Sequence, residues 1–160
     1  MASLFREPLN RGIDCRLFGT ILYLNEECPF HNLMDIYVAE LAPGEAVVEV
    51  PVGKDHINPN NIAHGGVAFS LADTAMGMAI RTLNHNSVTM EVNIKFIKPA
   101  YKSDYLKAIG KVIELKEKII KAEAEVINLK GEKIAVAQGI FYNKGKLIDG
   151  VVVEQDTSQD

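Results

Sequence analysis

One charged side chain interrupts the long apolar segment between Gly65 and Ile80. Asp73 lies in the third turn of the helix predicted there, too far from its start to cap the free N–H groups. A carboxylate among apolar contacts is costly unless it is paired, and Arg81, eight residues on, is not an adjacent partner. Asp73 is therefore either a catalytic acid–base or nucleophilic group, or a carboxylate that faces water or a backbone N–H.

A glycine-containing loop leads into the start of the same helix. It runs Asn58-Pro-Asn-Asn-Ile-Ala-His64-Gly65-Gly66. Unpaired N–H groups at a helix N-terminus stabilise negative charge, and glycine lets a ligand approach the backbone closely. The loop could bind a developing oxyanion, or the two glycines could serve only a tight turn into the helix.

Composition argues against several classes of protein. The formal net charge is −4 and the basic residues are scattered, whereas nucleic-acid binding needs a clustered positive face. Cys28 and His31 have metal-like spacing but lack the rest of a ligand set, so we interpret them as a free thiol and a surface histidine, with no metal. No apolar run reaches the ~18 residues of a membrane span, and no secretory signal is recognised. We expect a cytoplasmic protein that binds neither nucleic acid nor membrane.

Hydrophobic periodicity predicts the elements that must position these residues. The helix from Gly65 to about Leu83 is apolar on nearly every side, so other structure must wrap it. Five strands are predicted, one before the helix and four after it, at 46–52, 88–96, 104–115, 119–129 and 134–142. Short helical segments are expected within 17–24 and 28–35. One buried helix among strands implies an α+β layer architecture.

The loop and the helix together carry a more specific pattern. The segment His64-Gly65-Gly66-Val-Ala-Phe-Ser-Leu-Ala-Asp73-Thr-Ala75 resembles the signature of the hotdog-fold thioesterases, in their phenylacetyl-CoA (PaaI-like) branch. The resemblance covers roughly 28–143 and includes Pro43-Gly-Glu-Ala46, Lys98-Pro-Ala100 and Ala137-Gln-Gly-Ile-Phe141. It implies a hotdog fold, in which one long central helix is wrapped by an antiparallel sheet of five to six strands.

The same resemblance divides the chain into three parts. Residues 1–27 form an N-terminal extension that has no counterpart in the family and no assigned role. Residues 28–144 form the hotdog thioesterase domain. Residues 145–160 form a C-terminal tail, which we expect to be frayed at its polar end.

The resemblance also implies roles for five catalytic residues. Gly65 matches the glycine whose N–H binds the thioester carbonyl, and Asp73 matches the catalytic carboxylate. Aspartate rather than glutamate at this position is typical of the PaaI-like branch. Asn58 matches a residue that positions the carbonyl and a nearby water, and His64 one that shapes the loop. Thr89 matches a hydroxyl residue that assists in some members.

Four further residues are expected to bind the substrate. Phe69 and Met90 are candidates for the acyl pocket, and Gly66 for the turn beside the carbonyl. Lys98, with Lys95 and Lys102, could attract the phosphates of coenzyme A, although solvated surface lysines are the commoner explanation. Aryl-acetyl, other aromatic and medium-chain acyl groups are all compatible with the sequence.

Helix geometry gives an inference about oligomeric state. Gly65 and Asp73 lie about 12 Å apart along the helix axis, whereas reacting groups must approach within ~3–3.5 Å. If both residues act on one carbonyl, they must come from two copies of the helix. We therefore expect a homodimer or a dimer of dimers, and the resemblance implies antiparallel helices with two sites per dimer.

The sequence thus predicts an enzyme that hydrolyses an acyl-CoA thioester to the free acid and coenzyme A, at a site shared between two subunits. Asp73 acts either as a general base or as a nucleophile that forms an anhydride. No cofactor is expected, since coenzyme A is part of the substrate. The alternatives are a non-catalytic acyl-CoA sensor, for which 1–27 is too short to add a DNA-binding domain, and a hotdog hydratase or dehydratase.

Overall fold

The computed structural model describes residues 7–153 and contains three α-helices and seven strands. Their bounds are β1 Leu9–Asn10, α1 Cys15–Glu26, α2 Pro29–Met34, β2 Tyr37–Ala42, β3 Glu45–Pro51, α3 Gly65–Thr82, β4 His85–Phe96, β5 Tyr105–Leu115, β6 Ile119–Ile127 and β7 Lys133–Lys146. A 3-10 turn, Lys54–His56, follows β3. Within this range, none of the helices has the length and hydropathy needed to cross a membrane.

All seven strands belong to one sheet, in the order β1-β2-β3-β5-β6-β7-β4. Every neighbouring pair is antiparallel except β1 with β2. The α+β class predicted from the sequence is confirmed, but the strand count is higher than the five to six expected, because three strands precede α3 instead of one. The shift of register between Val38 and Glu40 interrupts the period of two in β2, which explains why periodicity alone missed that strand.

The central helix lies against the sheet at very short range. Eleven residues of α3 are buried, so most of its surface is covered by the strands. A glycine of β5 permits this approach: a Cβ atom built on Gly110 would lie 2.3 Å from both the carbonyl carbon and the carbonyl oxygen of Ala75. The sheet itself therefore supplies a small residue where the helix backbone meets it, in addition to the small residues of α3.

One stripe of α3 is left uncovered by its own chain. The residues of α3 that are not buried recur every three to four positions along one face, and they are Gly65, Gly66, Phe69, Ser70, Asp73, Gly77 and Arg81. We call this set the open stripe. The expectation that the helix is wrapped on nearly every side is thus only partly met within one chain.

The edge strand β4 also presents apolar side chains to solvent. Val88 is 48% exposed and Met90 is 59% exposed. β4 pairs only with β7, and its register shifts between Thr89 and Glu91. The alternation predicted for this strand therefore does not bury its apolar face within a single chain.

The segments at both ends of the described range join the same core. Leu17 and Ile21 of α1 are fully buried. After β7, the side chain of Asn84 holds the backbone of Ile148 with two hydrogen bonds of 2.9 and 3.0 Å, and Arg16 donates to the carbonyl oxygen of Gly150 at 2.7 Å. The polar end of the expected tail, 154–160, lies outside the described residues, as do residues 1–6 of the expected extension.

Candidate functional site

The first residue of α3 has a backbone N–H that is unused within residues 7–153. His64 is the N-cap residue, and its Nδ1 accepts the N–H of Gly66 at 2.8 Å. The N–H of Gly65, in contrast, has no acceptor within residues 7–153. Because Nδ1 of His64 is an acceptor, the neutral ring carries its proton on Nε2. His64 therefore fixes the helix start and leaves the Gly65 N–H available for a ligand.

The loop before the helix is held by its own polar groups. Oδ1 of Asn58 accepts the N–H groups of Asn60 and Ile62 at 3.0 and 3.3 Å. The backbone of His64 donates to the carbonyl oxygen of His56 at 2.8 Å. Oδ1 of Asn58 thus stabilises the loop. The NH₂ group of the same amide is left to donate a hydrogen bond to a ligand.

A cavity of about 320 Å³ opens in front of Gly65. We call it the glycine cavity, and its lining includes Asn58, His64, Gly65, Phe96 and Lys98. The ring of Phe96 covers Gly65 closely, since a Cβ atom on that glycine would lie 3.3 Å from it. Lys98 forms an ion pair with Glu132 at the rim, so its charge is already matched within the chain. It can still lie near a phosphate, but with less net attraction than an unpaired lysine.

Asp73 lines a different, smaller cavity of about 130 Å³. We call it the aspartate cavity, and its lining residues are His31, Asp73, Thr74, Gly77, Met78, Arg81, Ser87, Thr89 and Phe141. The hydroxyl of Thr89 donates to Oδ1 of Asp73 at 2.8 Å. Burial raises the pKa of Asp73 above the ordinary aspartate value, and the Thr89 hydrogen bond opposes this by a smaller amount. The carboxylate is therefore oriented by one hydroxyl and is more basic than a surface aspartate.

His31 was missed as a site residue by the sequence analysis. The prediction of a surface histidine is wrong, because Nδ1 of His31 is buried. Its Nε2 lies 3.5 Å from Oγ1 of Thr74, and its Nδ1 is buried with no partner within residues 7–153. Burial, followed by the nearby charge of Arg81, lowers the pKa of His31. No spacing links it to Asp73, because only the packing of α2 near α3 brings the two residues together.

Arg81 was also missed, for a related reason. The eight-residue spacing means that Arg81 is not an adjacent ion-pair partner of Asp73, and the sequence predicts no other role for it. It lines the same cavity as Asp73 without forming an ion pair with it. The signal that could have found it is the spacing of four from Asp73 through Gly77 to Arg81, which places all three on one helix face.

Within a single chain, the predicted site residues therefore lie in separate cavities and surfaces. Asn58, His64, Gly65 and Lys98 line the glycine cavity, whereas Asp73 and Thr89 line the aspartate cavity. Gly66 and Phe69 lie on the open stripe, and Met90 is exposed on β4. No group of three or more His, Cys, Asp or Glu side chains within 7–153 could hold a metal ion, and the thiols of Cys15 and Cys28 are free.

Comparison with known proteins adds independent evidence. The family model described as the thioesterase superfamily matches residues 60–135. A putative esterase of Archaeoglobus fulgidus is 35% identical over 120 residues, which are 75% of this chain and 78% of that protein. The acyl-coenzyme A thioesterase PaaI of Escherichia coli is 28% identical over 129 residues, covering 81% of this chain and 91% of that one. The solved structure of E. coli PaaI superposes with a TM-score of 0.79 at 24% identity, over 84% of this chain and 98% of that chain, which confirms the hotdog fold.

Proposed function

Because the chain belongs to the thioesterase superfamily, in its PaaI-like branch, we propose that it hydrolyses acyl-coenzyme A thioesters at sites that are each shared by two copies of the chain. One observation carries the proposal. The unused N–H of Gly65 and the half-buried carboxylate of Asp73 lie on the same open stripe, but they line two separate cavities of a single chain. The E. coli relative is named as an acyl-coenzyme A thioesterase, which supports coenzyme A as the leaving group.

A second copy packed on the open stripe would unite the two cavities. Phe69 lies midway between Gly65 and Asp73, one helical turn from each. Two antiparallel copies of α3 that cross at Phe69 would set Gly65 of one chain opposite Asp73 of the other. The exposed apolar side chains of β4 lie at the sheet edge next to this helix, and their burial would add to the stability of the pair.

In the proposed reaction, Gly65 and Asp73 act on the two atoms of one thioester carbonyl, Gly65 on the oxygen and Asp73, through water, on the carbon. The N–H of Gly65 donates a hydrogen bond to the thioester oxygen and stabilises the negative charge that develops there. The carboxylate of Asp73 removes a proton from water while the water oxygen bonds to the carbonyl carbon. The tetrahedral intermediate then collapses, the C–S bond breaks, and the thiolate of coenzyme A takes up the proton. Direct attack by Asp73 to give a mixed anhydride would use the same arrangement.

Thiol release from a panel of acyl-CoA substrates tests the activity. Asp73→Asn should reduce kcat by orders of magnitude, since an amide is neither base nor nucleophile, while the Thr89 hydroxyl can still donate to the amide oxygen. Binding of acyl-CoA without thiol release by the unmodified protein would indicate a sensor. Addition of water to an enoyl-CoA without thiol release would indicate a hydratase. Either result would overturn the proposal.

A further inference from the structure

The aspartate cavity contains polar groups that the proposed hydrolysis does not use. His31, Thr74, Arg81 and Ser87 line it beyond Asp73 and Thr89. The bond that breaks would lie at Asp73, and these four residues line the rest of the same cavity. A cavity that receives an unsubstituted alkyl or aryl chain is expected to be lined mostly by apolar side chains. The mostly polar lining of the aspartate cavity therefore favours a ligand with polar atoms.

Arg81 is the main feature of the cavity, because its charge has no counter-ion. It is half-buried, and no carboxylate within residues 7–153 lies within 4.0 Å of its guanidinium. Its contact within the chain is from Nη1 to the thioether sulfur of Met78, at 3.8 Å, and such a sulfur is a weak acceptor. A guanidinium remains charged in proteins, and a half-buried charge without a partner is costly. The position of the Arg81 guanidinium is explained if a bound anion serves as its counter-ion.

His31 adds a second polar group beside Arg81. Its Nδ1 is buried without a partner, and its Nε2 is near the hydroxyl of Thr74. The ring can accept the Thr74 proton at one nitrogen and donate from the other, or the reverse. In either tautomer, Nδ1 has no partner within residues 7–153 and is covered by the chain. A turn of the ring about its Cβ–Cγ bond would present a nitrogen to a ligand in the cavity.

Gly77 keeps the path from Asp73 to Arg81 open. It lies one helical turn from each residue on the open stripe, and a Cβ atom built there would have no neighbour within 4 Å. Helical side chains lean toward the N-terminus of the helix, so Arg81 leans back over Gly77 toward Asp73. An acyl chain whose thioester is at Asp73 could pass over the glycine and reach the guanidinium.

On the premise that the proposed hydrolysis is correct, we propose that Arg81 and His31 bind a carboxylate at the far end of the acyl group, so that the enzyme prefers the mono-coenzyme A thioesters of short dicarboxylic acids. The planar guanidinium matches a carboxylate with two parallel hydrogen bonds. Within one chain the aspartate cavity measures about 130 Å³, which favours a short acyl chain between Asp73 and Arg81.

Three substrates with the same chain length separate the chemical possibilities. We suggest glutaryl-CoA, which ends in a carboxylate, 5-hydroxypentanoyl-CoA, which ends in a neutral hydroxyl, and pentanoyl-CoA, which ends in a methyl group. The expected order of kcat/KM is glutaryl, then hydroxypentanoyl, then pentanoyl. A charge-assisted hydrogen bond corresponds to roughly a tenfold to hundredfold difference between the first and the last.

Arg81→Gln should abolish this preference, bringing the glutaryl to pentanoyl ratio of kcat/KM close to one, mainly through a higher KM for glutaryl-CoA. Arg81→Lys retains the positive charge but loses the planar pair of N–H donors, so it should retain part of the preference for glutaryl-CoA. His31→Phe keeps a ring of similar size and should lower the ratio by a smaller factor. The matched control is Arg11→Gln, which removes one positive charge at an exposed ion pair with Glu40 and should leave the ratio unchanged.

The outcomes distinguish this inference from the proposed function. If the unmodified protein hydrolyses none of the three thioesters or any other acyl-CoA, the proposed function itself fails. If it hydrolyses pentanoyl-CoA or the hydroxy compound at least as well as glutaryl-CoA, only the carboxylate assignment is overturned. Equal loss for all three substrates in both Arg81 variants would show that Arg81 supports the fold or the contact between chains, and would also overturn it.

Discussion

Two opposing effects set the pKa of the Asp73 carboxyl group, and with it the pH dependence expected for catalysis. Burial raises the pKa of its carboxyl group, and the hydrogen bond from Thr89 lowers it by less. We therefore expect the acid limb of kcat/KM to lie above the ordinary aspartate value of about 3.9. Thr89→Val removes the hydrogen bond that favours the charged form, so the limb should move to higher pH, whereas Thr89→Ser should leave it in place. A limb that moves to lower pH in Thr89→Val would contradict this account.

The same carboxylate should cost the fold some stability. Since the pKa of Asp73 is raised in the folded state, the folded chain binds more protons than the unfolded chain between the two values. Its stability contribution therefore falls as pH rises through that window. Asp73→Asn removes this cost, and we expect its Tm at neutral pH to be higher than that of the unmodified protein, with the difference shrinking toward pH 4. The check is thermal unfolding of both proteins at equal concentration; a lower Tm of the variant at neutral pH would contradict it.

Some of the predicted site residues have signals that are local in the sequence. Gly65 and Asp73 belong to one continuous motif, and the structure shows an unused N–H at the first and a raised pKa at the second. His31 carries no such signal, because its role depends on a contact between α2 and α3 that no spacing encodes. The polar half of the aspartate cavity could therefore be recognised only once the elements were packed.

At the scale of elements, the contact between α3 and β5 is the most sensitive to side-chain volume. Gly110→Ala would place a methyl group 2.3 Å from the backbone of Ala75, and backbone cannot move aside as a flexible side chain can. We expect the free energy of unfolding to fall by about 1–3 kcal/mol or more, as measured by denaturant unfolding. Gly19→Ala is the matched control: it lies in α1, is exposed, and has open space around the new Cβ atom. It should be neutral or stabilising by up to about 1 kcal/mol.

Elements with long, unbroken periodicity were predicted well, and those without it were not. The bounds of α3 agree closely with the apolar run that ends near Leu83, and β5, β6 and β7 each begin within a residue of their predicted positions. β2 was missed because its register shift breaks the alternation, and β1 has only two residues, too few for any period to be seen. The burial of Leu17 and Ile21 in the common core depends on where α1 packs, which local sequence does not specify.

At the scale of the whole molecule, complementation between two inactive variants tests whether the site is shared. Gly65→Pro removes the proposed donor N–H, and the backbone accepts it: His64 has φ −58° and ψ 139°, as a residue before proline prefers. When this variant is unfolded and refolded with an equal amount of Asp73→Asn, half of the dimers should be mixed. Each mixed dimer then has one intact site, so activity should recover to about one quarter of the unmodified level.

The control for that experiment is Gly65→Ala, which adds the same Cβ atom beside Phe96 but keeps the N–H. It should be active by itself, or at least far more active than Gly65→Pro. If mixed dimers are confirmed by mass and no activity returns, the two residues serve one site from one chain, and the shared site is refuted.

The position of β4 in the sheet has a consequence for how this protein is made. β4 directly follows α3 in the chain, yet within residues 7–153 its single neighbour in the sheet is β7, the last of the seven strands in chain order. While the ribosome adds β5 and β6, β4 has no strand to pair with, so the backbone N–H and C=O groups along both of its edges are left open. Unpaired strand edges of this kind are prone to aggregate. A chain that ends before Lys133 would lack that partner, so such truncated translation products should depend on chaperones or be degraded.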